Sequence, residues 1–418
     1  MPRVRPPRHP VTILFDGAEV VADRGEPVAV ALIAAGHLAV ARSPKFHRPR
    51  GPACLRAACD GCLARVDDEP NVMTCRVPAA DGVRVETQNV VGSRKTDLLR
   101  ATDWFFPEGM NHHELFVGVP GAQRILQALA RRVAGLGRLP KEARLPRTAE
   151  RRELDALVVG SGPSGMATAL ELAKRGRSVE VIDDDLHWGG SAQALAPDEA
   201  NPWAALRGAF ADSVATARIV VRVRTTAAGV YGEDVLVAAQ SGVEVLAAHT
   251  LVLAPGAHDG ALAFEGNDLP GVMSARAGGW MATLGVVLGE RVVVVVADGG
   301  GPFGGAYARA VPGAVVVEGA PVRARGSGRV KDVTVATPRG EQRFSCDALL
   351  VDAPCAPAYE LCAQAGAVLA HEPRGYVVKA PGGRIRNGVF AVGEVVGTPL
   401  ALEAIVREAE AVAENARR

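Results

Sequence analysis

Apolar and polar positions alternate from the start of the chain. Val11, Ile13 and Phe15 are separated by polar or small residues, Asp16-Gly17 follows, and a second short run covers residues 19–22. Period-two alternation on either side of Asp-Gly predicts a β-hairpin. Residues 27–36 (PVAVALIAAG) read as a short helix, with Pro near its start and Gly past its end. A basic, proline-rich loop over residues 42–52 comes next, and residues 84–87 close the segment as a strand. Hairpin, helix, loop and return strand together predict a small β-grasp domain over residues 1–90.

Residues 91–150 read as a connector. Residues 121–136 have helical periodicity, whereas 137–150 (GRLPKEARLPRTAE) are basic, carry two prolines and show no buried pattern, so they read as a linker. From Leu154 the pattern changes to strand, Gly-rich turn, helix, strand, and a second such unit starts at Arg291. The expected fold class is α/β and α+β: the β-grasp domain, then two domains of dinucleotide-binding type. The first takes residues 151–270 and 386–418, and the second, shortened, takes 271–385.

Composition narrows the function classes. The 418 residues are 48% hydrophobic and 22% charged, ordinary for a globular protein of two or three domains. Lys and Arg number 47 against 46 Asp and Glu, a net charge of +1, which gives no electrostatic footprint for nucleic acid or an anionic membrane. No apolar stretch reaches the roughly 18 residues of a spanning helix. The opening MPRVRPPRHP has no apolar signal region, so a cytoplasmic location is expected.

The seven cysteines are unevenly placed, with four between positions 54 and 75. An odd count without an export signal argues against a disulfide framework and toward metal or redox work. Cys54, Cys59 and Cys62 are spaced C-x4-C-x2-C, and twelve residues separate Cys62 from Cys75. This is the plant-type [2Fe-2S] ligand pattern with a short last gap. Four thiolates, two per iron, need a loop of small side chains around a compact cluster, and Ala53, Ala57, Ala58 and Gly61 meet that need. The plainer readings are a Zn site, which usually pairs two C-x2-C knuckles, or buried thiols. Cys346, Cys355 and Cys362 have no such spacing and read as buried, inert thiols. The adjacent His112 and His113 point apart on a strand or loop, so a packing or interface role is expected of them.

The strand over residues 154–160 ends in Gly160-Ser161-Gly162-Pro163-Ser164-Gly165, a G-x-G-x-x-G that opens a helix over 166–175. Gly160 makes the tight turn, Gly162 lets a pyrophosphate approach the backbone, and Gly165 lets helix and strand pack closely. The helix N-terminus attracts the phosphates. The next strand ends at Asp183, 23 residues after Gly160, followed by Asp184; an acid here can bind the adenosine ribose. Several further features favour FAD over NAD. Gly189, Gly190 and Ser191 form another small-residue stretch, residues 250–256 are a strand ending in the turn at Gly256, and a late strand ends at Gly393-Glu394. A chain that returns to its first sheet after a long insertion matches the flavoprotein layout with two dinucleotide domains.

The stretch Arg42-Ser43-Pro44-Lys45-Phe46-His47-Arg48-Pro49-Arg50-Gly51 resembles a segment near the start of the α subunit of heterotetrameric sarcosine oxidase. The cluster-bearing version resembles the small subunit of hydrogen cyanide synthase and of octopine and nopaline oxidases. Residues 269–278 (LPGVMSARAG) and 360–370 (ELCAQAGAVLA) resemble the FAD subunit of the same enzymes. The resemblance implies a ferredoxin-like subunit fused to an FAD subunit. It implies a role in oxidising C–N bonds of amino acids, imino acids or opines. It implies further that a partner amino-acid-oxidase-like flavoprotein removes the hydride and that this chain passes electrons to a downstream acceptor. It also implies an FMN at a subunit interface, whose phosphate Arg42, Lys45 and Arg48 can meet.

The chain departs from that family in three places. The second glycine turn, residues 298–305, is followed by a short helix, a strand ending at Glu318, and then a meander strand over 329–336. A full NAD domain needs a further strand and helix, so this site reads as degenerate and NAD is not expected. The C-terminus ends in one helix without a cysteine module or a folate-binding extension, so folate-linked chemistry is not expected. Glu394 stands where the family has Asp; its plainer reading is a surface acid at a helix start. No residue reads as an acid–base catalyst for substrate. Two other readings stand beside the electron-transfer subunit: a self-contained NAD(P)H-dependent ferredoxin-type reductase, and a structural subunit without flavin turnover.

Overall fold

The computed structural model describes residues 3–43, 46–88, 148–195 and 202–416, together with 90, 92–93, 96–101, 103, 118–122, 124–125 and 128. Lys45, His112 and His113 lie outside the described residues, as do most of the expected helix at 121–136 and most of the linker.

The N-terminal sheet orders its five strands Ala18–Asp23, Pro10–Phe15, Arg84–Glu86, Leu63–Val66 and Glu69–Met73. The first two form the expected hairpin, with Phe15 opposite Ala18. Its turn needs positive φ at both central residues, and Asp16 (49°) and Gly17 (81°) supply it. Pro10–Phe15 then pairs in parallel with the return strand Arg84–Glu86, which is the β-grasp crossover. The helix Val28–Ala34 is apolar all round because both its faces are covered. Val28, Ala31 and Leu32 pack on the sheet with Ile13, Phe15 and Val85. Ala29, Val30 and Ile33 pack instead against Trp280, Met281, Val286 and Leu288 of the second dinucleotide-type unit. Burying an aliphatic side chain is worth about 1.5–3 kcal/mol, so this shared helix ties the N-terminal sheet to the rest of the molecule.

The large sheet runs Ile219–Arg222, Val179–Ile182, Glu150–Val159, Gly242–Leu253, Asp234–Ala239 and Thr225–Tyr231. Val389–Ala391 comes back to it, pairing in parallel with Leu251 to Leu253. The helices Pro163–Lys174 and Leu402–Asn415 cover one face through Met166, Leu170, Ile405, Ala409 and Val412. The fold class is the expected one.

The second unit has a parallel four-stranded sheet in the order Val272–Ser274, Ala348–Asp352, Val292–Val296 and Val315–Glu318. A three-stranded meander follows: Ala320–Gly326, Val330–Thr337 and Gly340–Ser345. Its first strand corrects the sequence reading, which runs straight from Glu318 to residue 329. A bulge between Pro321 and Arg323 shifts the register and destroys the period-two pattern. No helix among the described residues is long and apolar enough to cross a membrane.

Candidate functional site

The cysteine loop is irregular backbone held in a tight curl. Leu55 (φ 55°) and Ala57 (φ 58°) sit in the left-handed region, where a side chain is strained. That curl turns the loop amides inward: Arg56 and Ala58 each donate an N–H to Cys54 Sγ at 3.3 Å. Amides of Ala53, Gly61 and Cys54 reach Cys59, and that of Ala57 reaches Cys75. Gly61 has no alternative, since a Cβ there would lie 1.9 Å from the Gly51 carbonyl oxygen.

The four thiols fall into two hydrogen-bonded pairs, Cys54 with Cys59 and Cys62 with Cys75. The bond from Cys54, with the backbone amides, pulls Cys59 down to about 6, against the effect of burial. Cys62 is lowered by the bond from Cys75, while Cys54 and Cys75 are pushed up by the same bonds and by burial. Each pair therefore favours one thiolate, surrounded by N–H donors. Among the described residues, no three His, Cys, Asp or Glu side chains converge on a single point as one metal ion requires.

One cleft of about 270 Å³ gathers most of the other expected site residues: Gly160, Gly162, Pro163, Ser164, Asp183, Asp184, Gly190, Ser191, Gly256, Gly393 and Glu394. Gly160 (φ 100°) turns the chain under Ala254, whose carbonyl oxygen lies 2.2 Å from the position of a Cβ. Gly165 lies behind the turn rather than in the cleft wall; its Cβ would meet Gly160 O at 1.9 Å. Gly162 has open space where a Cβ would stand. Asp183 accepts from Ser161 N and Oγ, both at 2.6 Å, and from Asp185 N at 2.8 Å, so its carboxylate braces the glycine turn. Beside Ser164, Gly393 N donates to Glu408 at 2.8 Å, and burial pushes the Glu408 carboxyl up.

Arg42 and Arg48 of the basic loop do not line this cleft. Arg42 donates to the His47 carbonyl at 3.2 Å, and Arg48 pairs with Asp103 at 2.6 Å. Lys45 lies outside the described residues.

Three cations escaped the sequence reading. Arg56 and Arg76, which lie close to Cys54 and Cys75 in sequence, line the same cleft as the glycine turn. Arg76 pairs with Asp184 at 2.9 Å and Asp185 at 3.1 Å. Burial raises the Asp185 carboxyl, against the pull of Arg76. Arg276 is 3% exposed, stacks 4.6 Å from the Phe303 ring centroid, and pairs with Asp259 at 3.1 Å and Glu394 at 3.4 Å. Glu394 is thus an ion-pair partner inside the cleft, not a surface acid. Cys355 is half-buried, accepts from Arg276 at 2.8 Å, and is raised by burial against the pull of that cation; Cys346 and Cys362 are fully buried and pushed up by burial to about 11 and about 12. The one readable signal was a lone Arg in the apolar stretch at 269–278.

The second glycine turn is filled from within the chain. Gly301 N and Gly304 N donate to the two carboxylate oxygens of Asp352, at 3.0 and 2.6 Å, and Asp352 is 2% exposed. Its carboxylate occupies the N-terminus of the helix Phe303–Ala310, where such turns hold a phosphate. Burial raises the Asp352 carboxyl, and the two amide bonds oppose that shift.

Comparison with known proteins shows what the chain resembles. A 2Fe-2S iron-sulfur cluster binding domain family matches residues 8–90, and an NAD(P)-binding Rossmann-like domain family matches 158–203. The sarcosine oxidase subunit alpha of Rhizobium meliloti is 32% identical over 297 residues, 64% of this chain and 30% of that one. Hydrogen cyanide synthase subunit HcnB of Pseudomonas protegens is 31% identical over 159 residues, 35% of this chain and 34% of that one. The chain thus spans about a third of the length of these curated relatives. L-proline dehydrogenase from P. horikoshii superposes with a TM-score of 0.72 over 99% of this chain and 74% of its own, at 22% identity, a likeness of fold. Thioredoxin reductase of T. acidophilum covers 63% of this chain and 97% of its own at a TM-score of 0.51 and 20% identity. The chain resembles a fused ferredoxin-like and FAD-type subunit of the sarcosine oxidase alpha and HcnB kind.

Proposed function

We propose that this chain is the electron-transfer subunit of a flavin-dependent oxidoreductase acting on C–N bonds of amines, amino or imino acids or opines. In this reading Cys54, Cys59, Cys62 and Cys75 hold a [2Fe-2S] cluster within residues 1–90, and FAD lies in the cleft of residues 151–270 and 386–418. The observation that carries it is the shared wall: Arg56 and Ala58 of the cysteine loop line the same cleft as Gly160, Gly162 and Glu394.

The residues fit both groups. Two thiol pairs with inward amides suit two irons, each taking two thiolates. The open space at Gly162 and the N-terminus of the helix Pro163–Lys174 suit a pyrophosphate. When bound, the flavin stores two electrons and the cluster passes one at a time. The chain's own part is to hold the two centres on one cleft and to exclude water from the cluster loop, where Cys54, Cys62 and Cys75 are buried. Removal of hydride from substrate is assigned to a partner flavoprotein, and no residue here takes an acid–base role. An FMN phosphate at a subunit interface requires Arg48 to leave Asp103.

The NAD(P)H-reductase reading needs a free second glycine turn, and Asp352 disfavours it. A purely structural role is disfavoured by the open cradle at Gly162. The test is co-expression with a candidate amino-acid-oxidase-like flavoprotein subunit, followed by dye reduction with sarcosine and with L-proline. A complex that reduces dye only when this chain carries iron and flavin supports the reading. Equal rates without this chain refute it.

A further inference from the structure

Arg76 immediately follows the fourth cysteine. The turn Thr74–Arg76 is pinned to the cysteine loop, because Thr74 donates both its N–H (3.2 Å) and its hydroxyl (2.8 Å) to the Cys62 carbonyl. The guanidinium then leaves the cluster loop and enters the cleft. It pairs with Asp184 at 2.9 Å and Asp185 at 3.1 Å, and donates to the Arg56 carbonyl at 3.4 Å. Asp185 N donates to Asp183, and Asp183 accepts from both donors of Ser161 in the glycine turn. One unbroken line of polar contacts therefore runs from Cys75 to the first dinucleotide turn.

Charge gives that line its meaning. Asp183, Asp184 and Asp185 are three consecutive acids on the wall of a cleft that suits an anionic pyrophosphate. Like charges at such range oppose binding unless a cation offsets them. Arg76 is that cation, and its side chain is only 19% exposed; solvent screens its pairing with Asp185, 13% exposed, weakly, and its pairing with Asp184, 52% exposed, more strongly. Its position depends on an ordered cysteine loop.

We propose that the iron–sulfur centre and FAD bind cooperatively, with Arg76 as the positioning residue that couples them; this rests on the cofactor reading proposed above. Ordering the loop around iron fixes Arg76, which neutralises the aspartates and favours FAD. By reciprocity, bound FAD favours retention of iron.

The test measures FAD affinity by fluorescence quenching, and iron and acid-labile sulfide by colorimetry, on the full chain with and without its cluster. Chelation of iron from the wild type weakens FAD binding about tenfold, within the usual range of coupling between sites. Arg76→Ala weakens FAD to a similar extent while iron and sulfide stay at the wild-type level, and chelation then adds less than about twofold. Arg76→Lys recovers part of the affinity. Asp184→Asn added to Arg76→Ala recovers it further, which a general packing defect does not produce. FAD affinity unchanged in Arg76→Ala, or an equal loss on chelation in both proteins, overturns the coupling and leaves the cofactor reading intact. A wild type that binds neither iron nor flavin overturns both.

Discussion

Asp352 Oδ2 lies 2.6 Å from the backbone nitrogen of Gly304, and its other oxygen lies 3.0 Å from that of Gly301. Two amides that a dinucleotide phosphate needs are thus satisfied by a buried carboxylate of the chain itself. NADH or ADP added to the FAD-saturated wild type, whose first cleft is occupied, is expected neither to raise its Tm nor, in the case of NADH, to bleach its flavin. Asp352→Asn, which keeps the volume and removes the charge, loses about 1–3 kcal/mol from these charge-assisted bonds. A Tm of the FAD-saturated wild type that rises with ADP contradicts the self-capped turn.

Gly162 and Gly165 separate binding from folding. A Cβ at Gly162 meets nothing within 4 Å, whereas one at Gly165 meets the Gly160 carbonyl at 1.9 Å. Gly162→Ala is expected to fold with an unchanged Tm and to lose FAD, because the added methyl would stand where the proposed pyrophosphate approaches the backbone. Gly165→Ala is expected to lower the Tm by several degrees as well. Melting with and without FAD distinguishes the two.

Cysteine substitutions sort the two groups of thiols. Cys59→Ser is expected to abolish the visible charge-transfer bands and most of the bound iron, since one thiolate of a pair is lost. Cys346→Ser keeps iron at the wild-type level, because Cys346 is buried far from the loop in sequence, within the core of the second unit. Iron analysis of both proteins checks this.

Local signals were readable in the sequence. Asp16-Gly17, the C-x4-C-x2-C spacing and the turn from Gly160 to Gly165 each encode their geometry within a few residues. What could not be read depends on chain-distant packing. Arg76 meets Asp184 across 108 positions, and Asp352 meets Gly304 across 48. No periodicity reports such pairings, and an Asp at a strand end looks the same whether it caps a helix or faces solvent. Ala320–Gly326 was hidden for another reason, its bulge having broken the alternation.

Glu244 gives a pH dependence of stability. It bonds to Arg222 and lies 3.2 Å from Arg152, and these bonds hold its carboxyl below the ordinary 4.5. A lowered acid contributes stability that is present above the unfolded value and lost as the pH falls through the folded one. Glu244→Gln is therefore expected to cost about 0.5–1 kcal/mol at neutral pH, the pair being partly exposed, and to cost nothing well below pH 4.5. Tm differences measured across that range check the sign.

The central claim is that one chain holds an iron–sulfur cluster and a flavin on a single cleft. The most direct measurement is the cofactor content of the full chain made with ample iron and riboflavin, read with the EPR spectrum after dithionite reduction. The account predicts about two irons, two labile sulfides and one FAD per chain, with a rhombic signal from the reduced [2Fe-2S] centre. A folded, colourless protein with neither iron nor flavin contradicts it.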